Sequence, residues 1–190
     1  MSKLKQTLIL TLALFAASIA AQAQTKPVRN GITTVELNSG FLSALSSLGV
    51  APSPLGDSQL EGTTIDFPIV EGLLDESDNH AEIIHSGGLQ LKAGDTIVQL
   101  RDFTIDTTGS QPVITGAVVA DGKIVGRAVL FDLSLSGASV VARGPLVLIE
   151  NVQVTLAPGA AATLNSVFHI TALAGGLQIG NADVVAVVGK

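Results

Sequence analysis

The segment VITGAVVADGKIVGRAVL, residues 113–130, limits the folds open to this chain more than any other. Two β-prone runs, 113–120 and 123–130, flank Asp121-Gly122, a dipeptide that tolerates the positive φ angles of a type I′ turn. Such a turn makes a tight hairpin, so the chain contains antiparallel sheet. Further strand patterns lie at 32–37, 63–69, 83–91, 96–105, 131–135, 146–156 and 177–188. At Val152, Val154 and Leu156 apolar positions alternate with Gln153 and Thr155, giving one face turned inward and one outward. Short strands at this spacing predict an all-β fold, either an antiparallel β-sandwich or a partly closed barrel-like sheet.

Two stretches break the strand pattern and resemble each other. VELNSGFLSALSSL (35–48) and VTLAPGAAATLNSV (154–167) each run from a strand ending in V-x-L, through a Gly, into a run with helical spacing. In the first, Phe41, Leu42, Leu45 and Leu48 share a stripe, with Asn38 or Ser39 placed to cap it. In the second, Pro158 suits a first helical turn, and Leu164 with Val167 or Phe168 faces inward. Both predict short helices packed at sheet ends.

The N-terminus reads as a leader. Lys3 and Lys5 precede an apolar run from Leu8 to Ala20, and Ala21-Gln22-Ala23 supplies a small-x-small cleavage pattern. Residues 1–23 are therefore expected to be a signal peptide, and 24–190 one exported domain, periplasmic or extracellular. The apolar run is shorter than the roughly 20 residues that span a bilayer and no other long one follows, so no transmembrane anchor is expected. With no Cys anywhere, stability rests on the core rather than on disulfides. Two of the ten Lys and Arg lie in the leader, leaving eight against sixteen acidic residues, a net charge of −8 with His neutral. That balance, with no Tyr and no Trp, lacks the cationic tracks and stacking platforms of nucleic-acid binding. An outer-membrane barrel needs aromatic girdles that the few Phe residues cannot supply.

Chemistry-bearing residues are sparse. In LLDESDNHAEIIH (73–85) a metal site would recruit Asp75, Asp78, His80, Glu82 and His85, but the sixth position of an EF-hand loop lacks its Gly. A strand from Ala81 onward also puts Glu82 and His85 on opposite faces, because their separation is odd. A solvated turn accounts for 75–79, with weak surface calcium binding as the alternative. Ser86 beside His85 points to the other face of the strand, and G-x-S-x-G, H-E-x-x-H and P-loop motifs are all absent. The reading is of a protein that is not an enzyme.

His85-Ser86-Gly87-Gly88-Leu89-Gln90-Leu91 carries a family likeness. It resembles the segment of HtaA-type heme-binding domains in which a strand His is followed by a small or polar residue, Gly, and two apolar positions separated by one. The order of elements agrees: a short first helix, the His-bearing strand and later strands, an Ala-rich helix at 160–165 and a closing strand at 177–188. The resemblance implies an exported β-rich domain binding heme through a Tyr ligand supported by the His. Here Phe41-Leu42-Ser43-Ala44 matches the family's first-helix pattern, with Ala44 at the ligand position, and the chain has no Tyr. The phenolate that suits ferric iron is therefore missing, so no cofactor is inherited and heme stays an open alternative.

Independently of that likeness, Gly87-Gly88 within a strand implies a bulge or a close backbone approach. The expected function is a non-enzymatic module that binds a small apolar ligand at Phe41, Leu45 and His85, with His169 approaching from the second helix. The alternative is a structural or adhesive envelope or matrix protein that works through sheet edges and apolar surface, where an oligomer would be natural.

Overall fold

The computed structural model describes residues 25–189 apart from 76 and 79. The expected leader and its cleavage point lie outside the described residues. In chain order the elements are β1 (Thr25–Leu37), α1 (Ser39–Ser47), β2 (Ala51–Leu55), β3 (Gln59–Glu61), β4 (Thr64–Asp75), β5 (Ala81–His85) and β6 (Gly88–Ala93). They continue with β7 (Thr96–Asp106), β8 (Val113–Ala120), β9 (Lys123–Ser134), β10 (Ser139–Arg143), β11 (Leu146–Leu156), α2 (Pro158–Phe168) and β12 (Gln178–Val188).

The 113–130 hairpin forms as its turn dictates. Asp121 and Gly122 have φ of 48° and 76°, and Ala120 faces Lys123 across the turn. β7 pairs with β8 on one side and with β5 on the other, so the path β7-β5-β4-β1-β12-β11-β9-β8 returns on itself. Every pairing on this path is antiparallel. Eight strands thus close into a barrel, the closed form of the two predicted all-β architectures. Closure removes the two edges an open sheet would expose.

Inward positions are apolar apart from the buried pair Thr33 and His85. Val35, Ile65, Phe67, Ile83, Ile105, Ile114, Leu133, Val152, Val154 and Val184 are all buried, as are the alternating positions 152, 154 and 156. Phe103 sits between Phe67 and Phe131, edge to face with each at ring-centroid distances of 5.2 and 6.2 Å. Each such contact adds about 0.5–1.5 kcal/mol beyond area burial. An apolar interior is the inverse of an outer-membrane barrel, whose interior is polar.

Both helices leave the barrel at one end. β1 and β11 flank β12 and finish beside its first residues, Leu37 opposite Gly180 and Thr155 opposite Gln178. The two similar sequence segments are therefore equivalent strand-to-helix exits. Asn38 Oδ1 accepts from the Gly40 and Phe41 amides and caps α1, which buries Phe41 and Leu45. α2 starts with Pro158, has no side-chain cap, and buries Ala160, Ala161 and Leu164.

Several strand boundaries differ from the sequence reading. The expected strand at 83–91 breaks into β5 and β6, while 123–130 and 131–135 join into β9. β2 has no strand pattern in its sequence because Pro52 and Pro54 cannot donate to a ladder. It pairs with β6 alone, at the sheet edge where missing N–H groups cost nothing. β10 is a fully exposed strand held against β11, so it carries no inward apolar alternation.

Candidate functional site

The strand break beside His85 follows from crowding. β5 and β6 run in succession along one edge of β7, but β5 pairs on its other side with β4 and β6 with β2. The switch of partner falls at Ser86-Gly87. Gly87 has φ +81°, and a Cβ there would meet Ser58 Oγ at 2.5 Å and the Leu55 carbonyl at 2.7 Å. A Cβ on Gly88 would lie 2.1 Å from the Leu100 carbonyl. The glycines meet a backbone requirement.

His85 points into the barrel and is 3% exposed. Its Nδ1 lies 3.1 Å from the Phe103 carbonyl, which can only accept, so Nδ1 carries the proton. Nε2 then accepts from the Thr33 hydroxyl at 2.7 Å. Burial, which disfavours the charged ring, pushes its pKa down from 6.5 to about 4, against a smaller opposing effect of the Phe103 and Ile83 backbone. His85 borders a void of about 30 Å³ shared with Thr33, Val35, Phe67, Phe103, Ile105 and Ile114. That space holds about one or two waters and no organic ligand. Both ring nitrogens are occupied, so His85 ties β5 to β1 and β7.

The other sequence-predicted residues lie elsewhere. Phe41 and Leu45 fill the packed face of α1, and Ala44 beside them is half-buried. His169 is exposed and ends α2 in a left-handed conformation with φ 55°. Neither Phe41, Leu45 nor His169 lines the void at His85, so the structure does not gather the four into one cavity.

An apolar cavity opens at the opposite end from the helices. It has a volume of about 380 Å³, within the range of small-molecule sites. Ile83, Ile105, Ile114, Leu133, Val152 and Val184 form its wall. Ile105 and Ile114 also line the void at His85, so they separate the two spaces. Polar groups gather on one side of the rim: Asp78 and His80 from the β4–β5 turn, Thr107 and Ser110 from the β7–β8 loop. The other side, after β9 and along β10 and β11, presents Leu135, Ala138, Val140 and Ile149.

At this rim His80 is held by Asp78 through two contacts. The His80 amide donates to Asp78 Oδ1 at 3.0 Å, and His80 Nδ1 lies 2.9 Å from Asp78 Oδ2. Both side chains are 49% exposed. Nε2 has no hydrogen-bond partner among the described residues, so the pair lacks the hydroxyl that would complete a nucleophile–base–acid relay. The rest of the acidic stretch diverges: Asp75 accepts from Ser77, Glu82 faces out and His85 faces in. Among the described residues no group of three His, Asp or Glu converges as a metal site.

The mouth was not legible strand by strand. Its wall comes from inward residues of many separate strands, which period-2 patterning marks as inward but does not assemble. His80 stood out in the sequence only as one of five metal-ligand candidates.

These features define a class: a closed eight-stranded antiparallel barrel, plugged by two helices at one end and open to an apolar cavity at the other. No protein-family model matches the sequence, and no curated protein matches it. Solved structures share the fold. The C-terminal domain of HtaA from Corynebacterium glutamicum superposes with a TM-score of 0.68 at 16% identity, covering 86% of this chain and 99% of that domain. The N-terminal domain of the same protein gives 0.62 at 14% identity, covering 86% and 99%. Heme binding protein HtaB from the same organism gives 0.53 at 10% identity, covering 87% and 95%. The chain thus has the fold of HtaA-type domains, as its element order implied.

Proposed function

We propose that this chain is an exported, non-enzymatic binding module that takes a small apolar ligand into the open mouth of its barrel. The observation that carries the reading is the cavity of about 380 Å³, apolar over most of its wall and polar along one side of its rim. Sites of this kind are the usual ligand sites of small barrels. Export is supported by the leader pattern at 1–23.

Heme does not carry over with the fold. HtaB is a heme binding protein by name, yet the donors here do not fit the family's mode of iron ligation. Ala44 offers only a methyl group, and both nitrogens of His85 are engaged inside the barrel. The test is a fluorescence titration of the mature protein with N-phenyl-1-naphthylamine, an uncharged apolar probe, with Ala138→Phe to obstruct the mouth. Saturable binding that weakens in the variant is expected. Hemin is titrated in parallel against wild type and His85→Ala, and a saturable spectral shift lost in His85→Ala would contradict this account.

A second reading, an envelope or matrix protein that binds other proteins, is favoured by one surface. Residues 123–129 of β9 are all exposed, Ile124 at 84% and Val125 at 60%, while β11 pairs with β9 only at 131–134. Self-association removed by Ile124→Lys in sedimentation would bring that reading forward.

A further inference from the structure

The rim says which end-group the mouth receives; this rests on the mouth being the ligand site. Asp78 spends one carboxylate oxygen on the His80 amide and the other on His80 Nδ1. A carboxylate that accepts the hydrogen bond from Nδ1–H holds the ring in the tautomer whose lone pair is on Nε2. Nε2 is then a preset hydrogen-bond acceptor at the edge of an apolar cavity, unpartnered among the described residues. No Lys or Arg is among the described residues lining the mouth, and its one fixed charge is Asp78. A carboxylate, sulfonate or phosphate head would have to give up water beside a like charge with no cation to receive it.

We infer that the mouth selects an uncharged amphiphile, an apolar chain ending in a hydrogen-bond donor such as an alcohol, and that His80 Nε2 receives that donor. The chain lies along Ile83, Ile105, Leu133 and Val152, and the head stays at the polar side of the rim. Thr107 is less suited to the role, since its hydroxyl already accepts from the Ala81 amide. Asp78 is a positioning residue that acts through His80.

The experiment is displacement of N-phenyl-1-naphthylamine by 1-decanol, by its methyl ether and by decanoate, at pH 7.5. Wild type should take decanol about 3- to 10-fold tighter than the ether, the worth of one net hydrogen bond, and decanoate weakest. His80→Ala should abolish the decanol-over-ether preference while leaving ether affinity within about twofold. His80→Gln, whose carbonyl can still accept, should restore part of it. Urea midpoints like that of wild type establish that each variant is folded. Equal decanol and ether affinity in wild type, a preference that survives His80→Ala, or decanoate binding tightest would each overturn the assignment while the mouth remains a ligand site. Absence of saturable binding by any of the four compounds would overturn the mouth reading itself.

Discussion

Acid should destabilise this protein through one side chain well before its carboxylates protonate. Unfolded, His85 titrates near 6.5; folded, burial holds it at about 4. Between those values the unfolded chain binds the extra proton, so stability rises with pH, and acidification through 6.5 removes it until the folded group titrates. The full difference of 2.5 pH units corresponds to about 3 kcal/mol, and the part lost between pH 7 and pH 5 is about 2 kcal/mol. Glu36, Asp75 and Asp106 are held below their ordinary values by hydroxyl and amide donors, Thr63 and Thr64 for the first, Ser77 and Thr108 for the others. Their contributions are present above the unfolded carboxylate values and disappear only as pH falls below them. The window from pH 6.5 to 4.5 is therefore the signature of His85. Urea unfolding at pH 7 and 5 should show a midpoint drop of roughly 1 M at an m-value of about 2 kcal/mol/M. His85→Gln can still accept from Thr33 and donate to Phe103 but cannot titrate, so it should flatten the profile. A wild-type midpoint that is constant over this range, or a variant with the wild-type slope, would refute the reasoning.

Other perturbations follow from the geometry. Gly88→Ala forces a Cβ into the Leu100 carbonyl, whereas Gly122→Ala meets nothing within 4 Å and strains only a positive φ. Thermal unfolding should show a loss of more than about 2 kcal/mol for the first and about 1 kcal/mol for the second. Asn38→Ala removes the cap of α1 and should cost about 1 kcal/mol in urea unfolding, with the mouth's probe affinity unchanged. Phe103→Ala empties the centre of the three-ring chain and should cost about 3–5 kcal/mol by the same measurement. Expression with its own leader in a secreting host should yield a chain whose mass begins at Gln24; a mass retaining residues 1–23 would contradict the export reading.

What could be read in advance was local. The Asp121-Gly122 turn specifies its hairpin from neighbouring residues, and strand parity alone separated His85 from Glu82 and Ser86. The Asn38 cap and the Phe41–Leu45 stripe are likewise properties of one turn of helix. The rest depends on contacts distant in sequence. Closure needs β1 to pair with β12 and with β4, and His85 finds its Thr33 partner 52 positions away. His85 stood out because a polar ring in an apolar strand looks like a ligand, but the barrel surrounds it and satisfies both nitrogens. The mouth stayed hidden for the converse reason: its wall residues look like ordinary core, and only at the open end do they face empty space.

Ligand is expected to enter the barrel mouth and not the helical end, and methyl-resolved NMR during titration with N-phenyl-1-naphthylamine distinguishes the two. Saturable shifts are expected at Ile83, Ile105, Ile114, Leu133 and Val152, with Leu45 and Leu164 unmoved. Shifts confined to Leu45, Ala44 and Leu164, with the mouth methyls silent, would contradict entry at the mouth.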